Sequence, residues 1–271
     1  MSDVKDVTTE RRTPRSSELD ERLQTYYTHY YRDVLGIPGW RGLVAFRLDD
    51  QAYERQRLAR LEDMLNHSVR GCRLLNLGCG TGGFNVAATR AGATAWGIDL
   101  DAEAVAIAGM RVRRGSIVQG AAEALPFFDQ CFDVVYCYST LEHVADAAQA
   151  VREMARVLRP GGALYVHTPN RWACFEGHYK VFVVPGAPRW LARAYLALRG
   201  RPTTFLGTVR PMSLGQCRRI LEEARLRITR VPDEARPRPV GGPLWPLVQL
   251  YYWAFGIEPY LELLAVRPLP R

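Results

Sequence analysis

Apolar residues follow two different periods through the middle of the chain. Short apolar runs bounded by polar residues predict buried strands, and the alanine-rich segments between them have helical spacing. A first run begins at Arg73, and further strands are predicted at 94–99, 116–119, 132–138 and 163–168. Strands that alternate with helices favour a parallel sheet with helices on both faces, so the predicted fold class is α/β.

Further elements are predicted on both sides of this core. They are helices at 18–32, 50–66, 189–199 and 213–224, a strand at 226–231, an apolar and aromatic segment at 244–255, and a closing strand at 261–266. Gly161 and Gly162 are predicted to cap the helix that precedes the fifth strand.

A glycine-rich turn ends the first strand. Four of the six residues from Gly78 to Gly83 are glycine. A strand, a glycine turn and a helix can hold a nucleotide-like ligand, because glycine permits a tight turn and a close approach. The second strand ends at Asp99, where an acid can accept hydrogen bonds from ribose hydroxyls. Gly78-x-Gly80-x-x-Gly83 also fits the dinucleotide fingerprint, so an NAD-dependent oxidoreductase is an alternative.

Composition narrows the functional classes. The 271 residues are 48% hydrophobic and 24% charged, as in an ordinary soluble protein. The net charge of +8 permits an anionic partner, but the arginines are spread along the chain, so nucleic-acid binding, and with it RNA methylation, is only a minor alternative. The six cysteines have no metal-ligand spacing, so no metal site is predicted. Without a secretory signal or a long apolar run, a reduced cytoplasmic protein is expected.

Five segments in order resemble the class I S-adenosylmethionine-dependent methyltransferases, in particular the bacterial small-molecule group. The segments are LLNLGCGTGG, WGIDLD, EALPF, FDVVYCYSTLEHV and RVLRPGGALYVHTPN, and the strong resemblance covers about 70–170. It implies a Rossmann-like, seven-stranded, mostly parallel sheet with one antiparallel edge strand. It also implies that S-adenosyl-L-methionine lies across the carboxyl ends of the strands.

The resemblance assigns a set of cofactor-binding residues. The implied contacts are Gly78, Cys79, Gly80 and Gly82 for the methionine portion, Asp99 for the ribose, Leu100 and the Ala122 N–H for the adenine, and Tyr138 and Ser139 beside the sulfonium.

Two positions depart from the family pattern. Asn76 stands where the family usually has an acid that helps to hold the cofactor's amino group, and Ala121 stands where it often has an aspartate facing the adenine amine. A lost hydrogen bond of this kind costs about 1 kcal/mol if water replaces it. Weaker binding is therefore expected, with a non-catalytic cofactor-binding scaffold as an alternative.

Few residues are candidates for catalysis. Methyl transfer from a sulfonium is an in-line displacement that depends on positioning, and an oxygen or amine acceptor can also need a base. His178 is the preferred base, with an ordinary loop histidine as the alternative interpretation, and Tyr179 beside it is a further catalytic candidate. His143, which follows the fourth strand, is a second candidate, although a structural role is the favoured interpretation there. The adjacent Glu142 is expected to bind an acceptor or cap the next helix.

These interpretations divide the chain into five parts. They are a disordered tail at 1–17, an N-terminal helical cap at 18–70, the cofactor-binding core at 71–170, an inserted substrate cap at 171–211, and the end of the sheet with an aromatic lid helix at 212–271. The predicted acceptor is a small molecule, methylated on oxygen or nitrogen, of the natural-product, glycan or lipid-linked kind. The aromatic segment allows contact with a membrane surface, and no oligomeric state is predicted.

Overall fold

The computed structural model describes residues 17–112, 115–231 and 245–270. Its strands are β1 Arg73–Leu77, β2 Thr94–Asp99, β3 Ile117–Gln119, β4 Phe132–Tyr138, β5 Leu158–Pro169, β6 Phe175–Glu176, β7 Val181–Phe182, β8 Arg227–Arg230 and β9 Tyr260–Val266. Its α-helices are α1 Ser17–Thr28, α2 Trp40–Leu48, α3 Gln51–Leu65, α4 Gly83–Arg90, α5 Ala102–Arg111, α6 Ala147–Val157, α7 Arg189–Leu198, α8 Leu214–Glu223 and α9 Trp245–Phe255. A π-helical segment, His29–Val34, continues α1.

In the described chain, seven strands form one sheet in the order β3-β2-β1-β4-β5-β9-β8. The pairs within β3-β2-β1-β4-β5 are parallel, and β9 is antiparallel to both of its neighbours. The sheet is therefore mostly parallel, as predicted, but an antiparallel strand at the edge was the wrong expectation. The apolar residues Leu261, Leu263 and Ala265 of β9 are buried inside the sheet, whereas β8 carries Arg227 and Arg230, which suit an exposed edge.

Two apolar cores cover the two faces of the sheet. One contains Leu75, Leu77, Val135, Leu164 and residues of α6 and α8. The other packs Leu74 and Tyr136 against α3 and α4. The side chains alternate between these cores along β1, as the two-residue period of a strand requires. Both faces are therefore covered by helices, and the carboxyl ends of the parallel strands stay available for a site.

Several boundaries agree with the sequence prediction, and β2 and β4 have the predicted ends. The predicted glycine cap of α6 is wrong. The helix ends at Val157, and Gly161 and Gly162 already lie in β5. Instead, Nη1 of Arg267 donates to the carbonyls of Ala155, Arg156 and Leu158. A side chain from beyond the last strand thus satisfies the free carbonyls that a glycine cap would otherwise satisfy.

The insert predicted at 171–211 contains the β6–β7 hairpin and α7. α2 was not predicted, because the short segment from Trp40 to Leu48 has no strong cap signal and only Val44 is buried. The predicted tail up to residue 16, the loop at 232–242 and Leu244 lie outside the described residues. No helix in the described chain has the length and hydropathy needed to cross a bilayer.

Candidate active site

The glycine turn after β1 has a shape that only glycine can adopt at its first position. Gly78 has φ +70°, and a Cβ there would lie 2.1 Å from Oγ1 of Thr140. The N–H groups of Gly78 and Cys79 both donate to the carbonyl of Ile98. The turn is thus fixed against the residues that follow β4 and against the end of β2. Gly82, with φ +78°, then caps α4 and packs against α5.

Asp99 connects the end of β2 to this turn. Its Oδ2 accepts from the N–H of Gly80 at 2.7 Å, and its Oδ1 accepts from the N–H of Asp101 at 3.0 Å. Burial raises the pKa of Asp99, and the two N–H groups oppose that effect. Leu100 beside it is exposed. An acid and an open apolar side chain therefore lie together, where the resemblance implied ribose and adenine contacts.

The tyrosines of α1 cover the same turn. Tyr26 donates to Oδ2 of Asp101 at 3.0 Å, and the hydroxyls of Tyr27 and Thr81 are 2.7 Å apart. Asp101 also caps α5 by accepting from two backbone N–H groups. The N-terminal helix therefore lies over the glycine turn.

The two departures from the family pattern occupy different environments. Asn76 is buried in β1 and donates to Oδ1 of Asn85 at 2.7 Å, while its own Oδ1 has no partner among the described residues. Ala121 and Ala122 follow β3 in a turn that begins beside β2, because the N–H of Gly120 donates to the carbonyl of Asp99. Ala122 is buried and Ala121 is half-buried.

The end of β4 carries the implied sulfonium contacts. Ser139 has the unusual φ of +50° for a residue with a side chain, and its N–H donates to the carbonyl of His167 at 2.7 Å. The ring of Tyr138 stacks on the His167 ring at 4.0 Å, and the Arg57 guanidinium lies 3.9 Å from the centre of the Tyr138 ring. His167 is thus a packed strand residue, and burial lowers its pKa to about 4.

Charged side chains from α5 and from the start of α3 lie beside the glycine turn. Arg111 forms an ion pair of 2.7 Å with Asp50, and both side chains are almost fully buried. Glu54, also buried, pairs with Arg57 at 2.9 Å. These residues were not predicted, because charged positions on amphipathic helices are expected to face solvent.

The predicted catalytic histidines are neighbours. Nε2 of His143 lies 3.3 Å from Nε2 of His178, and Nδ1 of His178 lies 2.7 Å from Oε1 of Glu176. Glu142 is fully buried, and its Oε2 accepts from Oγ1 of Thr168 at 2.9 Å. We call Glu142, His143, Glu176 and His178 the histidine cluster. It joins the turn after β4 to the β6–β7 hairpin of the insert.

Burial changes the protonation of this cluster. It lowers the pKa of His143 to about 4, assisted by the adjacent His178, and raises the pKa of Glu142 to about 7. Burial would also raise the pKa of Glu176, but the hydrogen bond and charge of His178 outweigh it and lower that pKa. Neutral His143 beside ionised Glu176 is therefore the favoured state at neutral pH.

Tyr179 lies in a different environment from its neighbour His178. It is fully buried with Leu35 and Ile37, and its hydroxyl accepts from the N–H of Leu206 at 3.2 Å. This geometry gives Tyr179 a packing role and does not support the predicted catalytic one. Glu142 does not cap the next helix, because Asp146 occupies that position.

Two contacts around the cluster were not predicted. The ring of Phe205 lies 5.5 Å from the His143 ring and 5.4 Å from the His178 ring, and it also lies 5.7 Å from the Tyr30 ring. Glu176, which orients His178, was also missed. No local sequence pattern marks either residue, since both act through neighbours that are distant in sequence.

Comparison with known proteins agrees with the geometry. Residues 75–166 match the family model described as "Methyltransferase domain". The chain is 34% identical over 154 residues to a ubiquinone biosynthesis O-methyltransferase of Xanthomonas oryzae pv. oryzae, covering 48% of this chain and 64% of that protein. It is 39% identical over 127 residues to a demethylmenaquinone methyltransferase of Mycolicibacterium paratuberculosis, covering 46% and 54%. The chain thus spans less than two thirds of the length of either relative.

A solved structure supports the fold. The crystal structure of an S-adenosylmethionine-dependent methyltransferase from Mesorhizobium loti matches with a TM-score of 0.56 and 22% identity, covering 77% of this chain and 96% of that one. The dinucleotide alternative loses support, because β9 enters the sheet antiparallel after β5 instead of opening a second parallel half. Residues 75–166 thus match a methyltransferase domain, and the sheet has the fold of an S-adenosylmethionine-dependent methyltransferase structure.

Proposed function

We propose that the chain transfers a methyl group from S-adenosyl-L-methionine to a hydroxyl of an apolar small molecule. The observation that carries the proposal is the position of the histidine cluster. Thr140 contacts the glycine turn, and His143, which ends the same short segment, belongs to the cluster. A cofactor on the turn and an acceptor at the cluster would therefore be adjacent, as in-line transfer requires.

The residues of the turn fit the cofactor. Asp99 offers a carboxylate for the ribose hydroxyls, and the N–H groups of the glycine turn suit the methionine carboxylate. Leu100 offers an apolar surface to the adenine, beside the backbone of Ala122. Tyr138 and Ser139 end β4 where the sulfonium is expected. These assignments extend the family resemblance to the individual residues of this chain.

The chemistry needs a nucleophilic oxygen. The acceptor oxygen forms a bond to the methyl carbon, the sulfur–carbon bond breaks, and its electron pair stays on sulfur as a neutral thioether. The hydroxyl proton must leave, and Nε2 of His178 can accept it while Glu176 stabilises the resulting imidazolium. Phe205 lies against both histidines of the cluster and would restrict the access of water.

Two observations support an apolar acceptor. The relatives described above carry the names of ubiquinone and demethylmenaquinone enzymes. In addition, α9 exposes Leu247, Leu250, Trp253 and Phe255, and α7 exposes Trp190. Arginines along α7 would favour contact with an anionic lipid surface, from which an apolar acceptor could be taken.

The test is methyl transfer from labelled S-adenosyl-L-methionine to a panel of acceptors: an apolar phenol or quinol, an amine and a glycan. We expect transfer to the apolar phenol or quinol, and we expect His178→Ala to lower kcat at least a hundredfold while cofactor affinity stays unchanged. His67→Ala, at an exposed histidine, is the matched control. Preference for the amine would overturn the acceptor class.

Calorimetry tests the remaining alternative, a non-catalytic scaffold. We expect both S-adenosyl-L-methionine and its demethylated product to bind, and Asp99→Asn to weaken both. Absence of binding by the folded wild-type chain would overturn the proposed function as a whole.

A further inference from the structure

The histidine cluster contains a set of metal-binding groups that no sequence spacing indicates. One carboxylate oxygen of Glu142 and one ring nitrogen each of His143 and His178 lie within 4.8 Å of one another. Two imidazoles and a carboxylate are a usual protein ligand set for catalytic zinc, which keeps its fourth position open. His178 is 35 residues from His143, so only the fold brings the set together.

The separation of the two imidazole nitrogens fits a shared ion. Their Nε2 atoms are 3.3 Å apart. Two nitrogens bound to one zinc ion at about 2.0–2.1 Å, at a tetrahedral angle, would lie about 3.3–3.4 Å apart. An N–H···N hydrogen bond can have the same length, and the carboxylate of Glu142 distinguishes the two arrangements.

Glu142 supplies an independent observation. The residue is fully buried, and its Oε1 has no hydrogen-bond partner in the described part of the chain. Leaving such an oxygen unpaired is unfavourable, and more so when it is charged. A bound cation at the adjacent histidines would satisfy it. The hydrogen bond from Thr168 to Oε2 meanwhile holds the carboxylate in place.

The outer contacts also suit a metal site. Oε1 of Glu176 accepts from Nδ1 of His178 at 2.7 Å, which assigns the ring proton to Nδ1 and leaves the Nε2 lone pair directed at His143. Oε2 of Glu176 is itself fixed by the N–H of Tyr179. A carboxylate behind a ligating histidine is the usual arrangement around zinc in proteins.

We propose that Glu142, His143 and His178 bind one divalent metal ion of the zinc class, with Glu176 as the outer partner of His178. Metal binding itself does not depend on the proposed function. The catalytic role of the metal does depend on the proposed function. The open position of the metal would take the acceptor hydroxyl and stabilise its deprotonated form, with the proton passing to solvent. His178 would then act as a ligand in place of a base.

The test uses the full chain, stripped with a chelator and titrated with Zn²⁺ by calorimetry and with Co²⁺ by visible absorption. We expect one ion per chain and the intense bands of tetrahedral Co²⁺. His143→Ala, His178→Ala and Glu142→Gln should abolish both signals, and Glu176→Gln should weaken binding about 10–100-fold. His29→Ala and His67→Ala, at exposed histidines, should change neither.

Three results would overturn the metal site: no stoichiometric binding, octahedral Co²⁺ spectra only, or binding that survives the double variant His143→Ala/His178→Ala. Thermal unfolding and cofactor binding identify any variant that fails to fold, and the wild-type Co²⁺ spectrum still decides the question if one does. Metal binding without methyl transfer would contradict the proposed function alone. Transfer by the chelator-stripped chain at the full rate would contradict the metal's role and leave His178 as the base.

Discussion

Asn76 and Asn85 form a buried amide pair joined by one hydrogen bond of 2.7 Å, with Oδ1 of Asn76 and Nδ2 of Asn85 left without partners in the described chain. Each lies directly beside the glycine turn, Asn76 on β1 and Asn85 on α4. The pair is therefore incompletely satisfied at the position where the family resemblance implies an acid.

Asn76→Asp should bind S-adenosyl-L-methionine more tightly. The carboxylate would attract the cofactor's amino group and could also accept from the unpaired Asn85 nitrogen after that amide turns over. Charge-assisted hydrogen bonds are stronger than neutral ones, so we expect a gain of roughly tenfold in Kd by calorimetry. Asn76→Ala is the comparison and should lose affinity. Equal affinities of the aspartate variant and the wild type would refute this account of the turn.

Gly78→Ala should disrupt the cofactor turn. A side chain there would adopt an unfavourable φ of +70° and collide with Thr140, so we expect a loss of more than about 2 kcal/mol in the free energy of unfolding. Gly109→Ala is the matched control, because Gly109 lies inside α5 and a Cβ added to it would meet nothing within 4 Å. The control should stabilise the chain slightly. Similar denaturant midpoints for the two variants would show that Gly78 is not constrained.

Arg111→Met should be strongly destabilising. It would leave the buried carboxylate of Asp50 without its guanidinium, and breaking a buried pair from one side costs about 3–5 kcal/mol. Arg22→Met removes the exposed partner of Glu103 and should change stability little. Urea unfolding monitored by circular dichroism measures both. A small effect at Arg111 would mean that other groups or water stabilise the Asp50 carboxylate.

Glu262→Gln should change how the stability of the chain depends on pH in the acid range. Burial acts to raise the pKa of Glu262, but hydrogen bonds from Arg60 and Tyr165 outweigh it and lower that pKa. A carboxyl group whose pKa is lower in the folded than in the unfolded chain stabilises the fold at pH values above its unfolded pKa of about 4.3. That stabilisation is lost as the pH falls through the folded pKa. We expect the variant to be less stable at pH 7 and to lose less stability on acidification. Parallel Tm-against-pH curves would be the contrary result.

The exposed face of α9 should matter for acceptors held in membranes. Trp253 is 81% exposed and Phe255 71% exposed, whereas only Val248 and Tyr252 of this helix are buried. We expect Trp253→Gln/Phe255→Gln to reduce sedimentation with anionic vesicles without lowering Tm. Phe128→Gln, at a residue 88% exposed on a different part of the chain, is the control. Unchanged sedimentation would contradict the proposed contact with a membrane surface.

The sequence predicted the core well because its signals are local. The buried run 132–138 and the run 94–99 ending at Asp99 defined β4 and β2 to the residue. The histidine cluster was only partly predictable. His178 and His143 were identified singly, but their contact depends on how the insert folds back over the sheet. Glu176 gives no signal of its own, because a hairpin glutamate becomes an orienting group only beside a particular histidine.

The contact of Arg267 with the end of α6 has a consequence for the order of folding. The segment that matches the methyltransferase family stops at residue 166, yet its last helix is terminated by a side chain that lies far beyond it in the sequence. During synthesis that segment would emerge from the ribosome before the carbonyls at the end of α6 have their hydrogen-bond donor and before β5 has its neighbour β9. Completion of the central domain therefore has to wait for the final strand, and fragments that stop short of it should remain open to proteolysis.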